Sequence, residues 1–351
     1  MRVSIGILAY NEAASIGDTI AALFRQTLFT DPDGGFQAVE VICVPNGCTD
    51  GTARIAREAL TRHSAHLNGQ PVKCSVRELP EAGKANAWNY YVHEFSDPAA
   101  DYIFLMDADV QPRESSAFLS LIQALERSPS AQVSTPHLVK HIALKPRKTL
   151  FDRLSLAISR MNDEAPCRLA GGLYCARARA LREIWLPPHL LGEDGFLRAM
   201  ILTDQFRSPE DLGRIIRDTE SSLIFESCAT LGQFFRHERR LAMGTALNTI
   251  LYSELAPRAG HPGGIARWIR EQNASNPDWP LEVVRKRASE RGGHWLISSH
   301  LLFGRFHRLW HSSPLKRMAR LPLAFGAFLF DLPVLLVANH ALRRGWIRGA
   351  W

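Results

Sequence analysis

The chain has 351 residues, 46% of them hydrophobic and 22% charged, with 24 Gly and 20 Pro. Those proportions belong to a globular protein and exclude a disordered, collagen-like or low-complexity chain. The net charge of +7 is unevenly spread: residues 255–351 carry 15 Lys and Arg against 5 Asp and Glu, while residues 1–254 carry 27 against 30. The basic excess belongs to the C-terminal part alone, and no nucleic-acid partner is expected.

Met1 and Arg2 lead directly into the apolar run Val3 to Leu8. That run is too short and too early for a signal-peptide core, and it reads as a buried first strand. Further strands are expected at 39–45, 72–79 and 102–106, with the first over 3–9. Helices are expected between them at about 13–26, 52–63 and 83–95. The alternation is that of βαβ units building a mainly parallel sheet flanked by helices. Such sheets bind ligands beyond the carboxyl ends of their strands. Four polar clusters fall there: Tyr10-Asn11-Glu12, Asn46-Gly47, Gly83-Lys84 and Asp107-Ala108-Asp109.

From 130 to 250 the pattern is less regular. Gly171-Gly172 reads either as a hairpin turn or as backbone that approaches a ligand closely. Gly192-Glu193-Asp194-Gly195 reads as an acidic turn ahead of a helical run, Phe196 to Leu202. His137 and His141 have an i, i+4 spacing that could bind a metal on a helix but are expected at the surface, and Arg177, Arg179 and Arg182 could reach an anionic acceptor but are expected on a solvated helix face. Pro257, Gly260, Pro262, Gly263 and Gly264 then mark a boundary, which predicts one domain over 1–250 and a basic helical region over 251–351. The six cysteines, at 43, 48, 74, 167, 175 and 228, form no C-x-x-C pair. Neither a disulfide framework nor a zinc ribbon is expected, and a reducing compartment is the simpler setting.

The strand YIFLMD (102–107) ends in two carboxylates, Asp107 and Asp109. Alternation along an extended chain puts both on one side, where they can face one hard cation. Taken alone, this pattern serves a helix-capping turn equally well.

With its neighbours it resembles the family 2 glycosyltransferases of the GT-A fold. VSIGILAYNE (3–12) resembles that family's opening strand, VPNGCTDGT (44–52) its V-D-D-G-S-x-D-G-T segment, and GKANAWN (83–89) its G-K-x-x-A-x-N helix start. MDAD (106–109) is similar to the metal motif, LGED (191–194) to the E-D base motif and RHERR (236–240) to the terminal Q-x-x-R-W. The resemblance covers roughly residues 1–245. It implies that Ala9, Tyr10, Asn11, Glu12, Asn46, Asp50, Lys84, Asp107, Ala108, Asp109, Arg236 and Arg239 bind the donor. It also implies that Asp107 and Asp109 hold Mg²⁺ or Mn²⁺, that Asp194 with Glu193 provides the base, and that Gly171 and Gly172 meet the acceptor.

Two positions depart from the pattern. Pro45-Asn46 replaces two aspartates, so the group expected to accept from a uracil N3–H is an amide, which can also donate. No Trp follows Arg239, which favours addition of a single sugar over polymer synthesis. Glu78 and Ala85 break a P-loop around Gly83-Lys84, and no G-x-G-x-x-G follows the first strand.

Residues 321–338 are apolar except for Asp331 and would extend about 27 Å as a helix, just under a ~30 Å hydrocarbon core. Asp331 and Pro333 argue against a straight span. Lys316, Arg317 and Arg320 precede the stretch and Arg343, Arg344 and Arg348 follow it, while His294 to Trp310 mixes aromatics with Arg. Both segments suit an anionic membrane surface, as a peripheral or monotopic anchor at its cytoplasmic face. A soluble helical cap is the other reading.

The expected function is metal-dependent, inverting transfer of one sugar from a nucleotide diphosphate, with UDP-sugar the expected donor, to a lipid-linked or other cell-envelope glycan acceptor in polysaccharide or glycolipid biosynthesis. The alternatives are a nucleotidyltransferase, whose glycine-rich loop is absent from residues 8–15, and an inactive nucleotide-sugar binding module.

Overall fold

The computed structural model describes residues 1–30, 35–65, 67, 72–149, 156, 169–225, 230–260, 263–290, 294–310 and 314–345. Cys167, Cys228, Pro262 and Arg348 lie outside the described residues. The chain divides into two compact units: Met1–Leu186 with Phe196–Ser227, and Pro187–Gly195 with Cys228–Trp351. Residue 250, the boundary expected from composition, falls inside the long helix Leu231–Leu255.

In the first unit the strands are β1 (Arg2–Ala9), β2 (Ala38–Pro45), β3 (Val72–Val76), β4 (Tyr102–Asp107), β5 (Gln111–Pro112), β6 (Val133–Lys140), β7 (Leu173–Arg177) and β8 (Ile215–Phe225). The helices are α1 (Ile16–Phe24), α2 (Thr27–Thr30), α3 (Thr52–Ser64), α4 (Lys84–Tyr90), α5 (Ala117–Arg127), α6 (Ala178–Arg182) and α7 (Glu193–Leu202). The first three residues of α7 belong to the second unit.

The sheet runs β3-β2-β1-β4-β7-β6-β8-β5. Its first four strands are parallel, as the continuous apolar runs of β1, β2 and β4 require for strands covered on both faces. Beyond β4 the sheet is mixed: β7 is antiparallel to both β4 and β6, β8 is parallel to β6, and β5 is antiparallel to β8. Ala9 stands opposite Pro45, and Leu8 opposite Asp107. The strands therefore end level, and the residues that follow them emerge at one edge. Below that edge β1, β2, β4, α1 and α5 share a core in which the rings of Phe104 and Phe118 lie 4.6 Å apart.

Helix α4 is shorter than the expected 83–95 segment and passes into one π-helical turn, Tyr91–Phe95, closed by a hydrogen bond from Ser96 N–H to the Tyr91 carbonyl. Its anchors are two residues of the GKANAWN run. Trp88 Nε1 donates to the Tyr174 hydroxyl at 2.7 Å, and the Asn89 amide pairs with both backbone groups of Leu186 at 2.8 and 2.9 Å.

Two expectations for surface residues need correction, those for Arg177 and Arg182. Arg177 is not on a solvated helix face: it ends β7, donates to the carbonyls of Ala131 and Leu125 at 3.0 and 2.7 Å, and lies over the Tyr102 ring. Arg182 donates to the carbonyls of Pro98 and Asp97. Of the three arginines, Arg179 alone is exposed. His137 is exposed on β6 and His141 starts a short 3-10 turn, so the pair does not share a helix.

The second unit is helical after Pro187–Gly195 and the start of α7. It contains α8 (Leu231–Leu255), α9 (Gly264–Ser275), α10 (Trp279–Glu290), α11 (Ser299–Trp310) and α12 (Pro314–Arg343). A capping box at Thr230 and Gln233 opens α8, with bonds of 3.2 and 3.1 Å that satisfy two of its free N–H groups. Helix α12 continues through Pro322 and Pro333. Its segment Arg320–Arg343 is long and apolar enough to cross a membrane, with a mean hydropathy of 2.1, and 24% of its most apolar window is buried.

Replacing Asn89 with Ala removes two buried hydrogen bonds, both made to the backbone of Leu186. A loss of about 1–3 kcal/mol is expected, read as a lower urea midpoint at unchanged slope.

Candidate active site

The carboxyl edge of β1, β2 and β4 brings together the four polar clusters picked out in the sequence. Asn46 is the knot. It is 3% exposed, donates through Nδ2 to the Ala9 carbonyl at 2.8 Å and accepts at Oδ1 from Gly83 N–H at 2.9 Å. It thus ties the ends of β1 and β2 to the start of α4. Beside it, Gly47 has φ +60, and a Cβ there would lie 2.5 Å from the Ala82 nitrogen, so only glycine fits.

Asn11, in the left-handed region at φ 54, accepts from Thr49 N–H at 2.8 Å. Its own N–H meets Cys48 Sγ at 3.3 Å, and that thiol lies 3.5 Å from the Ala9 carbonyl. Glu12 N–H donates to Thr52 Oγ1 at 2.8 Å, and the Glu12 carboxylate accepts from the Ser15 hydroxyl. Tyr10 projects from the same turn and is exposed.

Asp50 accepts from Ala13 N–H at 3.1 Å and Thr52 N–H at 3.0 Å, and from the Thr52 hydroxyl. Desolvation pushes its pKa up, but the bonds from Thr52 and Ala13 outweigh it and hold the carboxyl below its ordinary value of 3.8. The residue therefore braces the turn 46–52 while ionised.

Across the edge, Lys84 Nζ lies 2.7 Å from Asp107 Oδ1, with both side chains half-buried. Asp109 is exposed two residues on, and the Ala108 carbonyl between them accepts from Thr19 Oγ1 at 2.8 Å. Gly172 accepts the Asp107 N–H at 2.9 Å, and a Cβ there would sit 3.9 Å from Asp107 Oδ2 and 3.1 Å from Leu223. Gly172 therefore brings bare backbone to Asp107. Among the described residues no group of three or more His, Cys, Asp and Glu side chains is assembled. Asp107 and Asp109 supply two hard oxygen donors, a set that fits a divalent cation sharing its shell with phosphate and water.

Glu193, Asp194, Arg236 and Arg239 belong to the second unit. Glu193 and Asp194 lie in the first turn of α7, one step further into the helix than expected, and Asp194 Oδ1 accepts the Gly195 N–H at 2.8 Å. The segment 191–195 is held by one stripe of α8. Gly244 packs so closely that a Cβ would fall 3.1 Å from Gly192 N, Asn248 donates to the Gly192 carbonyl at 2.8 Å, and the Tyr252 hydroxyl donates to the Gly195 carbonyl at 2.8 Å. These three residues carry no catalytic signature, but their i, i+4, i+8 spacing is the trace they leave in the sequence. On the same helix Arg236 is exposed, and the Nε of Arg239 is buried without a hydrogen-bond partner.

The mixed central sheet flanked by helices is consistent with a GT-A type fold. Residues 4–175 match the glycosyl transferase family 2 model, and that segment belongs to the family. The structure is similar to a mannosyltransferase from Pyrobaculum calidifontis solved with GDP-Man and Mn²⁺. Identity is 15%, the match covers 97% of this chain and 86% of that one, and the TM-score is 0.53. It is also similar to glucosyl-3-phosphoglycerate synthase from Mycobacterium tuberculosis solved with Mg²⁺ and UDP, at 17% identity over 72% of this chain and 78% of that one, with a TM-score of 0.42. No curated protein matches the chain.

The depressed pKa of Asp50 sets a direction for acid. Its contribution is present at neutral pH, begins to fall below about pH 4 and is lost as pH drops through the folded value. Nucleotide binding measured by calorimetry should weaken over that window in the wild type, whereas Asp50→Asn should bind several-fold more weakly already at pH 7 and show a flatter acid response.

Proposed function

We propose that the protein is an inverting glycosyltransferase that moves one sugar from a nucleotide diphosphate to an amphipathic, lipid-linked or other cell-envelope glycan acceptor. The observation that carries this reading is the edge at which Lys84 meets Asp107 beside Asp109, with the Asn11 and Asp50 turns next to it. The nucleoside lies along Tyr10, Asn11 and Glu12, with Asn46 fixing the wall behind it. A UDP-sugar is the first donor to test and a GDP-sugar the second, since the mannosyltransferase of similar fold was solved with GDP-Man.

Asp107 and Asp109 would hold Mg²⁺ or Mn²⁺, which when bound supplies positive charge against the diphosphate. The residues do the rest. Lys84 adds a fixed cation near the leaving group, and Arg236 with Arg239, whose buried Nε has no partner, suits an anionic group. Asp194, with Glu193 beside it, takes the proton from the acceptor hydroxyl as that oxygen bonds to the anomeric carbon. The bond from that carbon to the diphosphate breaks on the opposite side, the nucleoside diphosphate leaves with its electron pair, and the sugar is inverted.

The acceptor reading rests on α12. Met318, Leu321, Phe325, Leu329 and Leu336 are all exposed and recur at 3, 4, 4 and 7 residues, which places them on one helix face. Ala324, Leu335, Ala338 and Leu342 are buried on the other face, and by the same spacing Asp331 falls with them. The lone acid is therefore off the exposed stripe. Arg317 and Arg320 at the start of the stripe and Arg343 and Arg344 after it suit an anionic leaflet. This supports a monotopic or peripheral position at the cytoplasmic face.

Asp194→Asn and Asp109→Asn separate the two halves of this mechanism. With the donor that releases nucleoside diphosphate in a metal-supplemented screen, Asp194→Asn should keep donor affinity and lose at least about a hundredfold in transfer, the scale of general-base catalysis. Asp109→Asn should lose metal-dependent donor binding as well. Near wild-type transfer by Asp194→Asn would remove it as the base. Flotation with vesicles containing phosphatidylserine tests the anchor: the pair Phe325→Glu and Leu329→Glu should leave the protein in the soluble fraction while the wild type floats.

A further inference from the structure

Helix α8 carries Arg236, Arg239 and Arg240 within little more than one turn. The reaction above uses the first two and gives Arg240 no part. Residues three and four apart are neighbours on a helix, so Arg236 adjoins both of the others, and like charges at that spacing repel. Among the described residues none of the three forms an ion pair. Elsewhere in the second unit Arg258, Arg267 and Arg287 each pair with a glutamate within four residues, at 2.7, 2.8 and 3.5 Å. The charge that is compensated there is left uncompensated on α8.

Helix geometry puts Arg240 beside the candidate base. Arg240, Gly244, Asn248 and Tyr252 recur every four residues, and the last three hold the segment 191–195, which carries Glu193 and Asp194. Arg240 is the next member of that stripe, one turn and about 6 Å along the axis from Gly244. It is half-buried, so it has less side-chain freedom to lose on binding than a fully exposed arginine. It also stands where the terminal Q-x-x-R-W pattern has Trp, and there a cation replaces an aromatic face.

The surroundings are apolar. The rings of Phe234 and Phe235 lie 5.1 and 6.2 Å from that of Phe330 on α12, the neighbour of Leu329 in the outward stripe. On α8 itself Leu231 and Leu241 are 68% and 43% exposed. Uncompensated guanidiniums among exposed apolar side chains suit a ligand with an anionic head and an apolar tail. Guanidinium pairs with carboxylate and phosphate alike, but a phosphate monoester brings three acceptor oxygens and up to two charges to a cluster of like charges. We infer that Arg240 binds a phosphate carried by the acceptor, which makes the acceptor a phosphate-bearing lipid and not a neutral glycolipid. The acceptor role rests on the glycosyltransferase reading, whereas the phosphate-lipid site rests on α8 and α12 alone.

The full chain, kept in a polyoxyethylene detergent, is titrated by calorimetry with octyl phosphate, octanoate, octyl glucoside and inorganic phosphate. Octyl phosphate should bind at least about tenfold more tightly than each of the others. Arg240→Gln should weaken it at least about tenfold, the scale of hydrogen bonds to a charged group. Arg240→Lys, which keeps the charge, should weaken it no more than about threefold. Both variants should keep the wild-type affinity for UDP or GDP with Mg²⁺, and saturating nucleotide should not displace octyl phosphate. Equal binding of any of the other three probes, binding unchanged in Arg240→Gln, or displacement by the nucleotide overturns the proposal. Nucleotide-sugar turnover without octyl phosphate binding overturns it and spares the glycosyltransferase reading. Binding that depends on Arg240 without turnover of any nucleotide sugar removes that reading, and the acceptor assignment falls with it.

Discussion

A single buried carboxamide organises the carboxyl edge of the first unit. Asn46 takes the Gly83 N–H on its oxygen and gives its nitrogen to the Ala9 carbonyl, so three chain segments that leave the sheet separately are joined through one side chain. The start of α4 is fixed by this joint, and Lys84, the first residue of that helix, meets Asp107 as a result. Trp88 and Asn89 secure the far side of the same short helix. A helix of seven residues has little stability of its own and depends on such tertiary contacts. The placement of the cation is therefore a property of packing several residues away from it.

The second unit solves a similar problem by different means. The segment 191–195 exposes backbone groups that a regular element would satisfy, and α8 meets them with a glycine for closeness, an amide and a phenol. Glu193 and Asp194 are thereby carried on a segment whose main chain is held at both ends. Elsewhere in this unit Asn339 does comparable work, pairing with Leu296 N–H at 2.7 Å and the His294 carbonyl at 3.0 Å. Buried amides thus recur wherever irregular backbone must be fixed to a helix or strand.

The parallel half of the sheet was legible in the sequence because strands covered on both faces are largely apolar, and β1, β2 and β4 are so apart from Ser4, Glu40 and their end residues. Tyr10 to Glu12, Asn46 and Asp107 to Asp109 were legible because each group stands at or just after the end of such a strand. β5 to β8 were not: β8 places Asp218 and Ser221 at buried positions, which breaks the alternation by which a strand is recognised. Arg177 misled for a related reason, since a guanidinium that caps backbone carbonyls leaves the same one-letter trace as a solvated one. Asn46 was noticed as a departure from a family pattern, yet its inward orientation follows from the Gly83 N–H, 37 residues away.

Helix α12 has a consequence for handling the protein. Its outward stripe of Met318, Leu321, Phe325, Leu329 and Leu336 is joined by Phe303 and Trp310, exposed on α11. In plain buffer these side chains offer neighbouring molecules an adhesive strip, and contiguous apolar surface of this kind drives self-association. Raising the salt to screen the basic flanks would remove the repulsion that opposes it. Purification at low ionic strength with a mild detergent should therefore yield dispersed material, whereas high-salt washes would promote precipitation of a correctly folded chain.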